Sequence, residues 1–405
     1  MRMKHIFRTI ICGSVLFSAV SAWSAELHGR SSTQFLWFNS IFTGEKQSEL
    51  AELLRFSVTK IDAENKLTLH GYGRLSHDVK NGDGFENRLF YLYADYSNLY
   101  DKLDIRAGRQ FVNNSAGSAL IDGGMVNLKN VGPVAFSLLG GRNVIYGIDK
   151  ELTKSGDTVF GAAATLTGYP RTDAEISYFL KKDADGIARE TVGAMFKQYL
   201  FQGMKMYGNA RFDTASETFE EVLIGAKYFA SVDLVISAEW FQSYPTFDYT
   251  SIYSVFAVDR YQEGSVRADY TINDMFAVRA AYKRQDFGED TAGDVYEIGL
   301  KVRPLTNLTV DVAYDRRHGY AGDLDGATLD VLYDYTPKLQ LAGGIAYDVY
   351  QRDSMTGDTT AQTYWLGTRY KLDKAMSFDL RVQDNVDVGD FKHDWSGRTA
   401  FNYDF

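Results

Sequence analysis

Leu308-Thr309-Val310-Asp311-Val312-Ala313-Tyr314-Asp315 changes character at every step. Leu308, Val310, Val312 and Tyr314 fall on one face of an extended chain. Thr309, Asp311, Ala313 and Asp315 fall on the other, because side chains alternate across a strand. The same rhythm recurs at Met376, Phe378, Leu380 and Val382 against Ser377, Asp379, Arg381 and Gln383. Phe276, Val278, Ala280 and Tyr282 alternate with Ala277, Arg279, Ala281 and Lys283, and Leu329, Val331, Tyr333 and Tyr335 alternate with Thr328, Asp330, Leu332 and Asp334. A soluble sandwich also alternates, but its strands are typically ~5–6 residues long. Most segments here run for ten to thirteen, the length of a tilted crossing of a bilayer. Their apolar faces end in Tyr, Phe or Trp, as interfacial aromatic girdles do.

The connections alternate in length. Short ones fall near 62–65, 98–101, 130–132, 168–171, 230–231, 272–274, 304–306, 336–338 and 372–374. Longer polar ones fall near 40–49, 79–86, 111–122, 143–157, 244–260, 287–292, 318–324, 351–360 and 387–394. Short periplasmic turns and long external loops produce that rhythm. The five prolines fit it: Pro133, Pro170, Pro304 and Pro337 sit in or beside short turns, and Pro245 in a long loop, since proline cannot donate to a strand ladder. The expected fold is all-β, a transmembrane antiparallel up-and-down barrel of about 22 strands (range 18–22) with no plug domain.

Residues 1–25 read as a secretory signal peptide, with Arg2, Lys4 and Arg8 before an apolar Thr9–Val20 and small residues at Ser21, Ala22, Ser24 and Ala25. Cleavage fits after Ala22 or Ala25, leaving residues 26–405 as the barrel. The only cysteine, Cys12, lies inside this segment, so the mature chain is expected to have no disulfide, thiolate metal site or covalent haem of its own. The whole chain carries a formal charge of −10, and loss of Arg2, Lys4 and Arg8 leaves −13. Such acidity argues against nucleic-acid binding, which rests on neutralising phosphates. After the signal no apolar run is long enough for a spanning helix. The chain instead holds 27 Tyr, 26 Phe and 36 Gly.

Alternation sends one set of charges inward: Arg106, Arg267, Arg279, Lys283, Lys301, Arg369 and Arg381, with Asp311, Asp315, Asp330, Asp334, Asp348 and Asp379. A basic side chain facing lipid near the midplane would cost ~2–4 kcal/mol, so these are lumen-lining candidates. Mixed signs declare no anion or cation preference, and a wall of neutralised pairs reads as well as a selecting one. The mature histidines, His28, His70, His77, His318 and His393, are scattered, and neither a Ser/His constellation nor metal-ligand spacing is present. No enzymatic role is expected. Asp323 and Asp325, beside Gly322 and Gly326, suit either a calcium loop or, more commonly, a solvated turn.

Three stretches carry resemblances. Phe401, Tyr403 and Phe405 share one face, with Phe405 terminal, and resemble the closing-strand signal that outer-membrane proteins present to the barrel-assembly machinery. Leu103-Asp104-Ile105-Arg106-Ala107-Gly108-Arg109-Gln110 resembles the strand ending in Gly-Arg-Gln of several porin families. The small polar residues that follow between Phe111 and Gly124 suit either an inward constriction loop or an ordinary surface loop. Leu27–Phe38, Leu53–Ser57 and the region from Gly108 to Arg142 resemble the porin-like subunit of porin–cytochrome conduits in metal-reducing bacteria. That resemblance implies a sleeve around a multihaem cytochrome, with haem supplied only by the partner, serving transmembrane electron transfer. The alternative is a passive or substrate-selective diffusion porin for small solutes. Width sharpens the choice: barrels of 16–18 strands form aqueous channels, and those near 22 usually have an occupied lumen. Either the strand count is too high, a loop narrows the pore, or another protein fills it.

Overall fold

A computed structural model describes residues 25–40, 44–82, 84–147, 151–154, 156–244, 259–288, 291–320, 322–351, 359–387 and 392–405. The proposed signal peptide lies outside them, apart from Ala25, as does Pro245. The first strands are β1 (Glu26–Asn39), β2 (Lys46–Thr59), β3 (Leu67–Asp78), β4 (Phe85–Leu99), β5 (Leu103–Asn114), β6 (Gly117–Val131) and β7 (Val134–Asn143). Then come β8 (Thr158–Leu166), β9 (Thr172–Asp183), β10 (Gly186–Phe201), β11 (Met204–Asp213), β12 (Thr218–Phe229), β13 (Leu234–Ser243), β14 (Tyr261–Thr271) and β15 (Phe276–Asp286). The last are β16 (Ala292–Leu305), β17 (Leu308–Gly319), β18 (Asp323–Asp334), β19 (Leu339–Gln351), β20 (Thr359–Lys371), β21 (Met376–Asp387) and β22 (Lys392–Asp404).

Each strand pairs antiparallel with the next, and β22 returns to β1, so one 22-stranded sheet closes on itself. Closure removes the exposed edges that an open sheet would present to lipid. The seam is held by main-chain and side-chain bonds alike. The Gly29 amide donates to the Phe405 carbonyl at 2.8 Å, the Phe405 amide donates back at 3.0 Å, and Arg30 grips Asp404 through Nε at 2.5 Å and Nη2 at 2.8 Å. No element lies outside the barrel among the described residues, so no plug is seen.

The pleat sorts the two faces as the alternation requires. Val312, Leu329, Leu341, Ile298, Ile176 and Leu366 are exposed on the outer face, Leu366 at 72%. Phe401 and Tyr403 are exposed on the same outer parity. Cross-strand pairing carries the opposite parity around the wall, through Asp269↔Arg279, Lys301↔Asp311, Asp311↔Asp330, Asp334↔Gln340 and Arg369↔Asp379. Glu52 is a charged group on the outer face. It shares that face with Leu50, Leu54 and Phe56 and accepts hydrogen bonds at 2.6 Å from both Ser31 and Thr33 hydroxyls.

Some expected boundaries need correction. The stretch near 111–122 is not an open loop. It is a hairpin arm, β5 and β6 joined by Ser115 and Ala116 alone. The connection expected over 318–324 spans only 320–322, so Asp323 and Asp325 stand on β18, where Asp323 meets His318 at 2.7 Å and Asp325 accepts the Tyr314 hydroxyl at 2.5 Å. Pro304 lies within β16 rather than beside it. The ladder is already irregular there, between Val302 and Leu305, which spares the missing donor. Tight connections at 184–185, 202–203 and 214–217 complete the strand count.

Candidate functional site

The β5–β6 hairpin does not stay in the wall. Pairing between β4 and β5 stops at Leu92↔Arg109, although β4 continues to Phe85 and β5 to Asn114. Above that point the hairpin turns inward. Its fold line is a row of glycines in cross-strand register, Gly108↔Gly123 and Gly123↔Gly141. Gly108 has φ +126°, and a Cβ there would collide with the Leu92 carbonyl. A side chain on Gly123 would strike the backbone of Gly140 and Gly141. Only glycine permits that approach and that backbone angle.

The tip lands on the inner wall of β9 and β10. The Ser115 amide donates to Glu175 Oε1 at 2.7 Å, and the Ala116 amide donates to Ser177 Oγ at 2.7 Å. The Ser115 and Ser177 hydroxyls meet at 2.7 Å, and Thr191 donates its hydroxyl to the Ala116 carbonyl at 2.8 Å. Ser177 and Thr191 are inward by register, since their neighbours Ile176 and Val192 are exposed outside. Beneath the tip lies a small apolar cluster of Val112, Ala116, Ile121, Val159 and Phe179, each at most 3% exposed. A polar tip thus sits on an apolar footing, and the lumen is narrowed by the chain itself.

The gap left in the wall is covered from the next connection. Tyr146 donates its hydroxyl to the Leu89 carbonyl at 2.5 Å, and Arg109 Nη1 donates to that hydroxyl at 2.8 Å. Arg88 lies over the Tyr146 ring at 4.9 Å and donates to the Gly147 carbonyl at 3.1 Å. Arg109 also forms a fork with Asp122, at 2.6 and 2.8 Å, and reaches Glu151 at 3.0 Å. Arg142 bridges the same two carboxylates at 3.1 and 2.8 Å. Two arginines alternate with two acids, which fixes the bend with planar, bidentate contacts.

All thirteen expected lumen residues have the inward register, and most are paired. Arg106 meets Asp95 at 2.8 Å, Arg267 meets Asp269 at 2.7 Å, Lys301 meets Asp311 at 3.5 Å and Arg369 meets Asp379 at 2.5 Å. Lys283 pairs with Glu297 at 2.7 Å, and Asp334 accepts from Gln340 at 2.8 Å. Asp330 stands opposite Asp311, and Asp315 approaches Asp348 over Gly326. Arg279 flanks Gly299 in a recess shared with Arg267, Lys301 and Asp311. Arg381 stacks on Trp365 at 4.4 Å. Sequence reasoning missed the roles of Asp122, Arg142, Tyr146 and Glu151, and also Trp365 and Arg398. The glycine row was the available signal for the first group. Among the described residues no group of three potential metal ligands forms.

No known protein family and no curated protein matches the chain by sequence. Solved structures do match the shape. A BenF-like porin from Pseudomonas fluorescens Pf-5 superposes at TM-score 0.50 with 10% identity, over 94% of this chain and 98% of that one. A mutant of the ferric enterobactin receptor PfeA from Pseudomonas aeruginosa superposes at 0.63 with 9% identity, over 94% of this chain and 81% of that one. This is a porin-like β-barrel of the bacterial outer membrane. At such identities the likeness concerns the fold alone, so function has to be argued from the lumen.

Proposed function

We propose that this barrel is a diffusion channel for small hydrophilic solutes, with the β5–β6 hairpin as its constriction. The observation that carries this reading is the docking of Ser115 and Ala116 on Glu175, Ser177 and Thr191 inside the lumen. The strand number makes the barrel wide, and the hairpin narrows it without any second protein. The hydrated, largely neutralised wall suits water and polar solutes better than a packed filling. Purified protein in a planar bilayer should give discrete conductance steps, and liposomes carrying it should swell in small sugars or amino acids. Absence of both, from protein shown to be folded by heat-modifiable migration, would remove the channel reading.

A cytochrome sleeve remains a second reading. It is favoured by the strand number, since barrels of this size usually hold something, and by the resemblance of Leu27–Phe38 and the Gly108–Arg142 region to conduit subunits. Haem would then belong to a multihaem partner and enter no site on this chain. Mild-detergent capture of the tagged barrel followed by haem staining separates the two: a stoichiometric haem-staining partner supports the sleeve, and a haem-free preparation that conducts supports the channel. For neither reading do we propose catalysis.

A further inference from the structure

The inner wall of β20–β22 concentrates positive charge in a way that its own carboxylates do not cancel. Arg381 and Arg398 are direct cross-strand partners. Residues so placed have Cβ atoms about 4.5–5.5 Å apart, and like charges in that position are destabilising. Among the described residues neither guanidinium has a carboxylate within ion-pair distance. The nearest acid on the same parity, Asp379, is committed on both oxygens: Arg369 holds one at 2.5 Å, and Asn402 donates to the other at 2.7 Å. Arg381 itself reaches only Gln383, at 3.4 Å.

The surroundings are built to keep these groups extended and accessible. The Trp365 ring lies 4.4 Å from the Arg381 guanidinium carbon and orders it by a cation–π contact. In the same cross-strand row the next two residues are Gly367 and Ala342, which leave the wall beside the arginines nearly bare. The outcome is an open recess lined by Gln340, Ala342, Gly367, Arg369, Arg381 and Arg398, with Asp379, its carboxylate already held by Arg369 and Asn402, as the one acid in its wall. It has donors on one side, little side-chain bulk on its floor, and both unneutralised arginines exposed to the lumen.

We infer that Arg381 and Arg398, with Arg369 beside them and Trp365 beneath Arg381, form a binding site for an oxyanion, a carboxylate or phosphate group carried by a small solute. The chemistry is that of planar guanidinium forks meeting an anionic oxygen pair. Binding relieves the repulsion between the two arginines, so the site is most stable when occupied. This assigns a solute class to the channel and in that respect rests on the channel reading.

The test uses the full-length barrel in detergent and in planar bilayers, with glutarate and inorganic phosphate as probes in a chloride background. Calorimetry should show saturable binding of at least one probe. The double variant Arg381→Gln/Arg398→Gln should weaken it at least tenfold, while Lys301→Gln in the separate recess of β14–β17 leaves it within twofold. In bilayers the bound probe should reduce chloride current through the parent and not through the double variant, and the double variant's reversal potential should move toward cation preference. Trp365→Leu should weaken binding less than the double variant, with heat-modifiable migration confirming that each barrel is folded. Binding without conductance would keep the site and remove the channel. Conductance with no saturable binding by the parent, or equal binding by the parent and the double variant, would overturn the inference and leave the channel standing.

Discussion

Gly193 offers the sharpest test of the constriction. It lies on β10, and a Cβ built there would overlap the Ala116 amide and the Ser115 carbonyl. The obstruction is backbone rather than the end of a flexible side chain, so Gly193→Ala must push the hairpin tip off its seat. Three neutral hydrogen bonds and one to a carboxylate hold that tip. At roughly 0.5–1.5 kcal/mol for each neutral bond and 1.5–3 for the charged one, the seat is stabilised by about 5 kcal/mol. Each 1.4 kcal/mol is tenfold, so the parent hairpin should be undocked less than about one part in a thousand. The variant should be undocked for most of the time, while the barrel persists, because alanine is tolerated in a strand and the ladders of β9–β11 do not involve the hairpin. Two measurements check this. Single-channel recording should show larger and noisier conductance for Gly193→Ala. A cysteine pair at Ser115 and Ser177, whose hydroxyls now touch, should form a disulfide in the parent background and fail to do so when combined with Gly193→Ala. Equal cross-linking together with unchanged conductance would refute the docking geometry.

Other perturbations test the wall. Val312→Arg puts a guanidinium on the lipid face and should destabilise the barrel by ~2–4 kcal/mol in urea refolding, whereas Asp311→Arg, facing the lumen opposite Asp330, should fold normally; equal damage would reverse the assigned faces. Ser31→Ala with Thr33→Val removes both donors to the outward Glu52 carboxylate, and stranding it should cost roughly 1–3 kcal/mol, with Glu52→Leu restoring the loss; no change on the first step would mean that water or lipid headgroups already satisfy Glu52. Deleting Phe405 removes the main-chain pair with Gly29 and the terminal aromatic, and should reduce the heat-modifiable barrel recovered from outer membranes; undiminished recovery would deny it a role in assembly.

The wall was legible because it obeys one rule. A side chain facing lipid and its neighbour facing water differ so much in transfer free energy that Leu308–Asp315 can be read without a partner strand. Even the less regular stretches at 123–130 and 261–271 prove to be strands, β6 and β14. The hairpin was harder, since Asn113, Asn114 and Ser115 are equally at home in bulk water or in a wet lumen. Its destination is written on a different strand, in the missing side chain of Gly193, and only three-dimensional proximity links the two. Tyr146 was hidden for a similar reason: a tyrosine in a polar connection gives no sign that its hydroxyl completes a distant main-chain carbonyl. The arginine pair was half legible. Arg381 follows from alternation, but its lack of a counter-ion depends on Asp379 being held by Arg369 and Asn402.

The departure of the hairpin leaves the upper part of β4, Phe85–Tyr91, knitted to β3 alone. There the barrel is stitched by one tyrosine and two arginines in place of a ladder. Amide protons along that margin should therefore exchange with solvent deuterium well before those of the closing seam, where β1 and β22 pair without a break from Arg30↔Asp404 to Trp37↔Gly397. The wall thus carries at β4 a slit with a removable fastening, and that slit is where a longer insert could be grafted, or the circumference widened, without unpicking the rest.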